Sequence, residues 1–477
     1  MTSHVARLSN VAAAALTLLV ATAEVGGSQS PIASPIAITN VTVIDTITGS
    51  ARSDMTVLVN GDRIAEVAPA ARVRVPENAE RVDGRGKFLI PGLWDMHMHW
   101  YDAETLPLFV ANGVTAARVM WGFPVHHQWR DEIGAGRQMG PRLVIGSSII
   151  DGPSPVLGRM ASVRTAEDAR RAVAKAKADG ADFVKVYQKL SREAYLAIAD
   201  ESKRLEIPFV GHLPTSITIA DAARAGQRSL EHDATLRGSS SGESGVARAL
   251  DIAFSDTPAR QPTNADLRPF LRMAVDTFSP AQAVALAPEL NRNKTYVCPT
   301  LTLFRAMWMV ADEGFRKDAR LKYLPAGLRE RFQAFVDEPR TTDDVELWRQ
   351  FYERHRESTR LMHEGGVPIL AGTDGGEPYS FPAFGIHDEL RLLVDAGLTP
   401  LEALQTATLN PARFFGRESE LGTVAVGKLA DLVLLAANPL TAIGNTTKIN
   451  AVVASGRLYR RPDLDHLLAK VEAAANK

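Results

Sequence analysis

His97 and His99 stand one residue apart in the stretch Pro91-Gly92-Leu93-Trp94-Asp95-Met96-His97-Met98-His99. Side chains on an extended strand alternate between faces, so both imidazoles point the same way. Neutral imidazole is a good ligand for zinc-type metals, and two side by side at a strand end can share one ion. A His-x-His pair alone is weak evidence, so the weight falls on further ligand types downstream. Lys185 lies inside Phe183-Val184-Lys185-Val186-Tyr187, and His212 follows Pro208-Phe209-Val210-Gly211. His232 closes Ser229-Leu230-Glu231-His232, and Asp374 closes Ile369-Leu370-Ala371-Gly372-Thr373-Asp374. Four histidines and an aspartate at the same ends of separate apolar runs form a set, where any one alone would read as a hydrogen-bonded core residue.

Lys185 adds a constraint of its own. A charged amine inside an apolar run is costly, so the site must pair it or hold it neutral. Glu231 or Asp374 would serve as the ion-pair partner. A neutral amine, by contrast, takes up carbon dioxide to give a carbamate, a carboxylate-like group able to bridge two cations.

These residues converge only if the elements that carry them share a rim. Strand-like runs at 116–119, 142–146, 182–187, 208–211, 228–232, 295–300 and 369–373, with the first one ending at His99, make eight. They alternate with helical patterns, which implies βα units and a parallel sheet. Thr165 with Asp168 reads as a capping box, Gly180 closes that helix, and Ser191 caps the next. The expectation is an α/β fold, a (β/α)8 barrel over residues 91–418, since no Gly-rich phosphate loop follows the first strand. In such a barrel the carboxyl ends of all eight strands meet at one face. Segments 233–278 and 302–350 are too long for connecting loops and are expected as insertions over that face.

Short β-like runs at 36–90, divided by Thr48-Gly49-Ser50 and by the hairpin signal Asn60-Gly61, resemble runs at 419–460. Neither piece buries much alone, so both ends of the mature chain are expected to build one small β-sandwich domain, followed by a C-terminal helix at 461–477. Residues 1–23, with an apolar run from Val11 to Val20 and then Ala21-Thr22-Ala23, read as a secretory signal peptide, and 24–35 as a linker. Export to the periplasm or beyond is therefore expected. The 477 residues carry a net charge of -1, which excludes an electrostatic case for nucleic acid or an anionic membrane. The single cysteine, Cys298, forms no internal disulfide, so core and metals must hold the fold.

The landmarks together resemble the amidohydrolase superfamily, and within it the secreted imidazolonepropionase-like and prolidase-like members. They are the His97/His99 stretch, Ala181-Asp182-Phe183-Val184-Lys185-Val186, Gly211-His212-Leu213-Pro214, Ser229-Leu230-Glu231-His232, Ala371-Gly372-Thr373-Asp374, Thr406-Ala407-Thr408-Leu409-Asn410-Pro411-Ala412 and Gly427-Lys428-Leu429-Ala430-Asp431-Leu432-Val433. The resemblance implies that His97, His99 and Asp374 hold one divalent ion, His212 and His232 a second, with carboxylated Lys185 bridging them and zinc as the metal. It implies hydrolysis of a carbon–nitrogen bond in a small molecule: an N-acyl amino acid, a dipeptide or a cyclic amide. Asp374 would act as general base and then acid, and Tyr187 would donate to the developing oxyanion. Imidazolonepropionases proper resemble a one-metal site without this lysine. The prolidase-like members usually follow the lysine with a Gly-rich stretch, where this chain has Val186-Tyr187-Gln188-Lys189.

A one-metal deaminase and a solute-binding relic are the rival readings, and a homo-oligomer is left open. Trp100, His126, His127, Glu377 and Tyr379 fall in rim loops, with Trp100 and Glu377 as candidate substrate contacts. In the insertions, Phe254, Phe270, Phe304, Met307 and Trp308 are candidate apolar walls. Arg260, Arg268 and above all Arg305 are candidates to meet a substrate carboxylate.

Overall fold

β1 (Ile36–Ile44) pairs antiparallel with β2 (Ala51–Asn60), and β2 with β3 (Arg63–Pro69), across the Asn60-Gly61 turn expected from sequence. Gly61 takes a φ of +59°, a conformation that glycine adopts without steric cost. In this computed structural model, which describes residues 34–100, 102–155, 158–255 and 262–476, β4 (Glu80–Asp83) and β5 (Phe88–Pro91) then add parallel to β1. The leader and Arg260 lie outside the described residues.

From β5 the chain passes through Gly92 into β6 (Leu93–Met98), which pairs parallel with β7 (Val114–Val119), and β7 with β8 (Arg142–Ile145). A short parallel ribbon, β9 (Ile150–Asp151) with β10 (Ala161–Ser162), adjoins β11 (Val184–Val186). β11 continues in parallel register to β12 (Phe209–Gly211), β13 (Ser229–Glu231) and β14 (Tyr296–Cys298). Residues 369–373 take the eighth position through bridges and not a full ladder. Val297 bridges Ile369, Met98 bridges Gly375, and Met96 N–H donates to Ala371 O at 2.8 Å. The Gly146–Phe183 bridge joins β8 to β11, so the ring of eight closes as the barrel expected. Gly372 permits the eighth segment to approach so closely: a Cβ there would lie 2.5 Å from Cys298 Sγ and 2.6 Å from His97 Cβ.

The helices start where the sequence signals them. Thr165 Oγ1 accepts from Asp168 N–H, and Ser191 Oγ from Ala194 N–H, each at 3.1 Å. The two insertions are helical and not loops. The first carries helices Glu243–Ala253 and Asn264–Thr277; the second carries Leu301–Met309, Ala326–Asp337 and the start of Thr342–Glu364.

After the barrel, β15 (Leu432–Leu435) pairs antiparallel with β5, β16 (Ile449–Ala454) with β15, and β17 (Arg457–Arg460) with β16. The final helix spans Arg461–Ala475. Both ends of the chain thus share one eight-stranded sheet. Ile64 N–H donates to Lys428 O and Ala430 N–H to Asp62 O, each at 2.8 Å, so the β3 edge returns to the segment before β15. The two-layer core expected of a sandwich is made by one sheet folded over, with Ile38, Val57 and Ile64 in the same cluster as Leu434 and Val453. Arg142 Nε to Asp431, at 2.6 Å, ties this sheet to the barrel, and both belong to one compact unit from Ser34 onward.

Candidate metal centre

The barrel brings the six expected ligands to one rim. His97 is the next-to-last residue of β6 and His99 stands just past its end; Lys185 lies within β11; His212 and His232 stand just past β12 and β13, and Asp374 just past the eighth segment. Asp374 Oδ1 is 3.3 Å from His97 Nε2 and 3.2 Å from His99 Nε2, and Oδ2 is 4.0 Å from His232 Nδ1. Ring centroids are 4.5 Å apart for His97 and His232 and 4.6 Å for His212 and His232. Ligand atoms of His97, His232 and Asp374 all lie within 4.8 Å of one another.

Lys185 is fully buried, and its Nζ has no hydrogen-bond partner among the described residues. The ion pair to Glu231 or Asp374 that the sequence left open is therefore not formed. Burial pushes the amine down to about 8, against the upward pull of the Glu231 and Asp374 charges. Burial, with the Lys185 charge adding to it, holds His212 and His232 well below the ordinary imidazole value, and burial lowers His99 too. These rings are neutral near neutral pH, as metal ligands must be. Burial opposes ionisation of Asp374, and its carboxyl is drawn well below its usual range only by positive charge beside it, on the His97 and His232 rings or on a cation in place of their protons.

A residue pair that the spacing did not disclose fixes how His97 faces the site. His97 Nδ1 donates to Glu231 Oε2 at 2.8 Å, and Glu231 is held by Arg118 Nη2 at 2.9 Å. Burial works against the Glu231 charge, but Arg118 and His97 keep it well below the usual carboxylate range. An ionised carboxylate only accepts, so the His97 proton is assigned to Nδ1 and Nε2 keeps its lone pair. That lone pair faces Asp374 Oδ1, and both atoms are buried without a hydrogen-bond partner. Two acceptors opposed in a buried site repel each other, and a cation between them removes that cost. His99 Nδ1 and His212 Nδ1 are likewise buried and unpartnered. The donor set, neutral imidazoles with a carboxylate, fits divalent metal of the zinc type.

Other supports are local. Thr300 Oγ1 lies 2.9 Å from His232 Nδ1 and pins that ring. Asp95 accepts from Thr373 Oγ1 at 2.6 Å and from the N–H groups of His97 and Thr373 at 3.1 Å, clipping the first strand to the eighth. His232, Thr300 and Asp374 have φ of +59°, +49° and +54°, a left-handed conformation that costs non-glycine residues free energy. Three such residues around one cluster mark it as a place where geometry outranks local stability.

A cavity of about 820 Å3 opens over the cluster, bordered by His99, His212, His232 and Asp374. Tyr187 borders it with its ring 4.1 Å from that of His212, and burial keeps its phenol protonated. Glu377 borders it too, paired with Arg331 Nη2 at 2.5 Å. Phe254, Phe270, Phe304 and Met307 reach the cavity wall as expected, whereas Trp308 packs near Tyr352 and does not.

Arg305 is a correction. It meets Asp388 at 3.3 Å, away from the cavity, because Asp388 is a buried carboxylate that also draws Arg320 at 2.7 Å. Arg268 is spent on Asp344 at 2.7 Å. Among the described residues, the arginines that do border the cavity are Arg331 and Arg159. Trp100 is a further correction: its Nε1 donates to Asp102 O, its carbonyl lies 2.7 Å from His126 Nε2, and it does not line the cavity. His126 thereby braces the rim loop, His127 lies beside Arg130, and Tyr379 packs between Phe315 and Phe332.

Comparison with known proteins agrees with this geometry. A 77-residue stretch is 43% identical to an imidazolonepropionase of Symbiobacterium thermophilum, covering 16% of this chain and 18% of that protein. The alignment thus spans about a fifth of that relative's length. Bottromycin amidohydrolase superposes with a TM-score of 0.76 at 24% identity, over 92% of this chain and 90% of its own. A putative prolidase from Bifidobacterium longum does so with a TM-score of 0.63 at 25% identity, over 92% of this chain and all of its own. The family model described as the amidohydrolase family matches residues 88–459, from the last strand before the barrel to the return of the chain into the β sheet. With barrel, ligand rim and family model in register, the chain belongs to the amidohydrolase family.

Proposed function

We propose that this protein is a metal-dependent hydrolase of carbon–nitrogen bonds, acting on an amide in a small molecule such as an N-acyl amino acid, dipeptide or cyclic amide. The observation that carries the reading is the unpaired, fully buried Lys185 amine amid buried ring nitrogens that have no partner. His97, His99 and Asp374 would hold one ion and His212 and His232 a second, with zinc favoured by the ligand types. Lys185, depressed to about 8, is about one-tenth neutral at pH 7, against less than about a thousandth for an ordinary lysine, and in that form adds to carbon dioxide with loss of one proton. The resulting carbamate would offer carboxylate-type oxygens as metal ligands.

When bound, the ions supply Lewis acidity and acidify water. Asp374, held ionised, accepts the proton of the attacking water and returns it to the departing nitrogen. Tyr187, held protonated beside His212, donates to the developing oxyanion. Elemental analysis of the purified protein should find about two divalent ions per chain. Lys185→Ala should lose much of that metal and most activity on N-acyl amino acids, with partial recovery of both on adding short carboxylic acids. One tightly bound ion, unchanged by the substitution, would overturn the two-metal reading in favour of a deaminase-type site.

We also propose export, on the leader sequence alone: protein from an exporting host should begin near Glu24 by mass spectrometry, and an intact Met1 or Thr2 terminus would refute it.

A further inference from the structure

We propose that the substrate carries a bulky apolar group next to its scissile amide, aromatic or medium-chain aliphatic, and that this group is taken by a chamber formed where the two insertions meet. The bond that is cut rests on the amide-hydrolase reading above; the shape and chemistry of the chamber do not. The cavity over the metal ligands, at about 820 Å3, is continuous with the insertion wall and lies toward the upper end of the roughly 300–1,000 Å3 usual for small-molecule sites. Glycyl or acetylated substrates would leave most of it filled with water.

Its wall is apolar. Leu267 and Phe270 come from the first insertion; Phe304, Met307, Phe335 and Trp348 come from the second. Phe270, Phe304 and Trp348 each place their rings 5.6 Å from that of Phe351, so the wall is one interlocked aromatic cluster. The polar atoms there are spent on one another. Glu338 Oε1 accepts from Asn264 N–H at 3.1 Å and from Asn264 Nδ2 at 3.0 Å, and Asn264 Oδ1 accepts from Trp348 Nε1 at 2.8 Å. Glu338 Oε2 is taken by Arg340 at 3.4 Å. This network joins the two insertions and takes up polar atoms of Asn264, Glu338 and Trp348; among the described residues, the other charged side chains that the insertions bring to the cavity are Asp233, next to the ligand His232, and Arg331, paired with Glu377. A polar substituent lodged against the apolar wall would lose its water with little in exchange, whereas an apolar one gains from burial.

Two substrate series test this on the zinc-loaded enzyme. One lengthens the acyl side, as N-acetyl-, N-hexanoyl-, N-decanoyl- and N-2-naphthoyl-glycine. The other enlarges the amine side, as N-acetyl-glycine, -leucine, -phenylalanine and -tryptophan. In one series kcat/KM should climb by up to about fourfold per buried methylene until the chamber is full. Met307→Trp, and independently Leu267→Trp, fill the chamber from opposite insertions. Each should cut the bulky-to-acetylglycine ratio of kcat/KM at least tenfold with metal content unchanged. Flat or falling kcat/KM in both series, or an unchanged ratio in both variants, would overturn the chamber while amide hydrolysis stands.

If no amide is cleaved, calorimetry with decanoate and acetate separates the two readings. Decanoate binding at least tenfold tighter than acetate, and weakened in the Trp variants, upholds the chamber without the hydrolase. Equal binding of both acids overturns the chamber.

Discussion

Glu231 decides which nitrogen of His97 can bind metal, yet no spacing in the sequence announces it. Its partner Arg118 is wholly buried inside the apolar strand β7, at 0% exposure. The argument that singled out Lys185, a charge within an apolar run needing a partner, applies with equal force to Arg118 and would have led to Glu231. Lys185 was legible because its run stood beside other ligand types. Arg118 was not, because its role is to hold a carboxylate that holds a ligand. Glu231→Gln should therefore weaken metal binding by roughly 10–100-fold, as removal of such a support usually does. Competition against a chelator measures it, and unchanged affinity would reduce Glu231 to an ordinary buried ion pair.

Among the elements, strand ends were legible and insertion interiors were not. A strand end places its residue by position alone, because all eight ends share one face. A residue in an insertion goes where the insertion folds, and that depends on helix–helix contacts distant in sequence. Arg305 shows the difference: its closeness to strand seven suggested the pocket, but the helix it sits on turns it to Asp388. Arg305→Ala should leave the ratio of KM values for acidic and neutral substrates unchanged. Since Arg320 and Arg391 still contact Asp388, the stability loss should stay near about 1 kcal/mol, read as a small fall in Tm. A selective rise in KM for acidic substrates would return Arg305 to the pocket.

For the whole molecule, two buried histidines outside the ligand set fix an acid limit. His355 Nε2 lies 2.8 Å from Pro299 O; His387 lies 3.0 Å from both Thr446 Oγ1 and Asn112 O. Burial pushes each down from 6.5 to about 4. Unfolding returns both rings to the ordinary value, so the unfolded chain binds more protons between pH 6.5 and about 4 and stability falls with pH across that window. Each ring contributes as much as about 3 kcal/mol to the loss at full titration. Tm measured against pH should slope down below 6.5, and His387→Gln should flatten part of that slope whatever it does at pH 7. A slope unchanged by the substitution would remove His387 from the account. The barrel itself was legible because each βα unit carries its own period and caps. The single folded-over sheet was not, since strand order within a β domain is set by contacts that no local pattern records.

β5 has one more consequence, for how the chain is made. It pairs on one edge with β1, already synthesised, and on the other with β15, and residues 92–431 lie between. At cellular elongation rates that interval is on the order of tens of seconds. Throughout it the Phe88–Pro91 edge, rich in apolar side chains, stands open in a nascent chain whose barrel is still incomplete. The domain that looks like an appendage is thus the last part to close, and a ribosome that stops short of residue 435 releases a chain with a free sheet edge and no means of covering it.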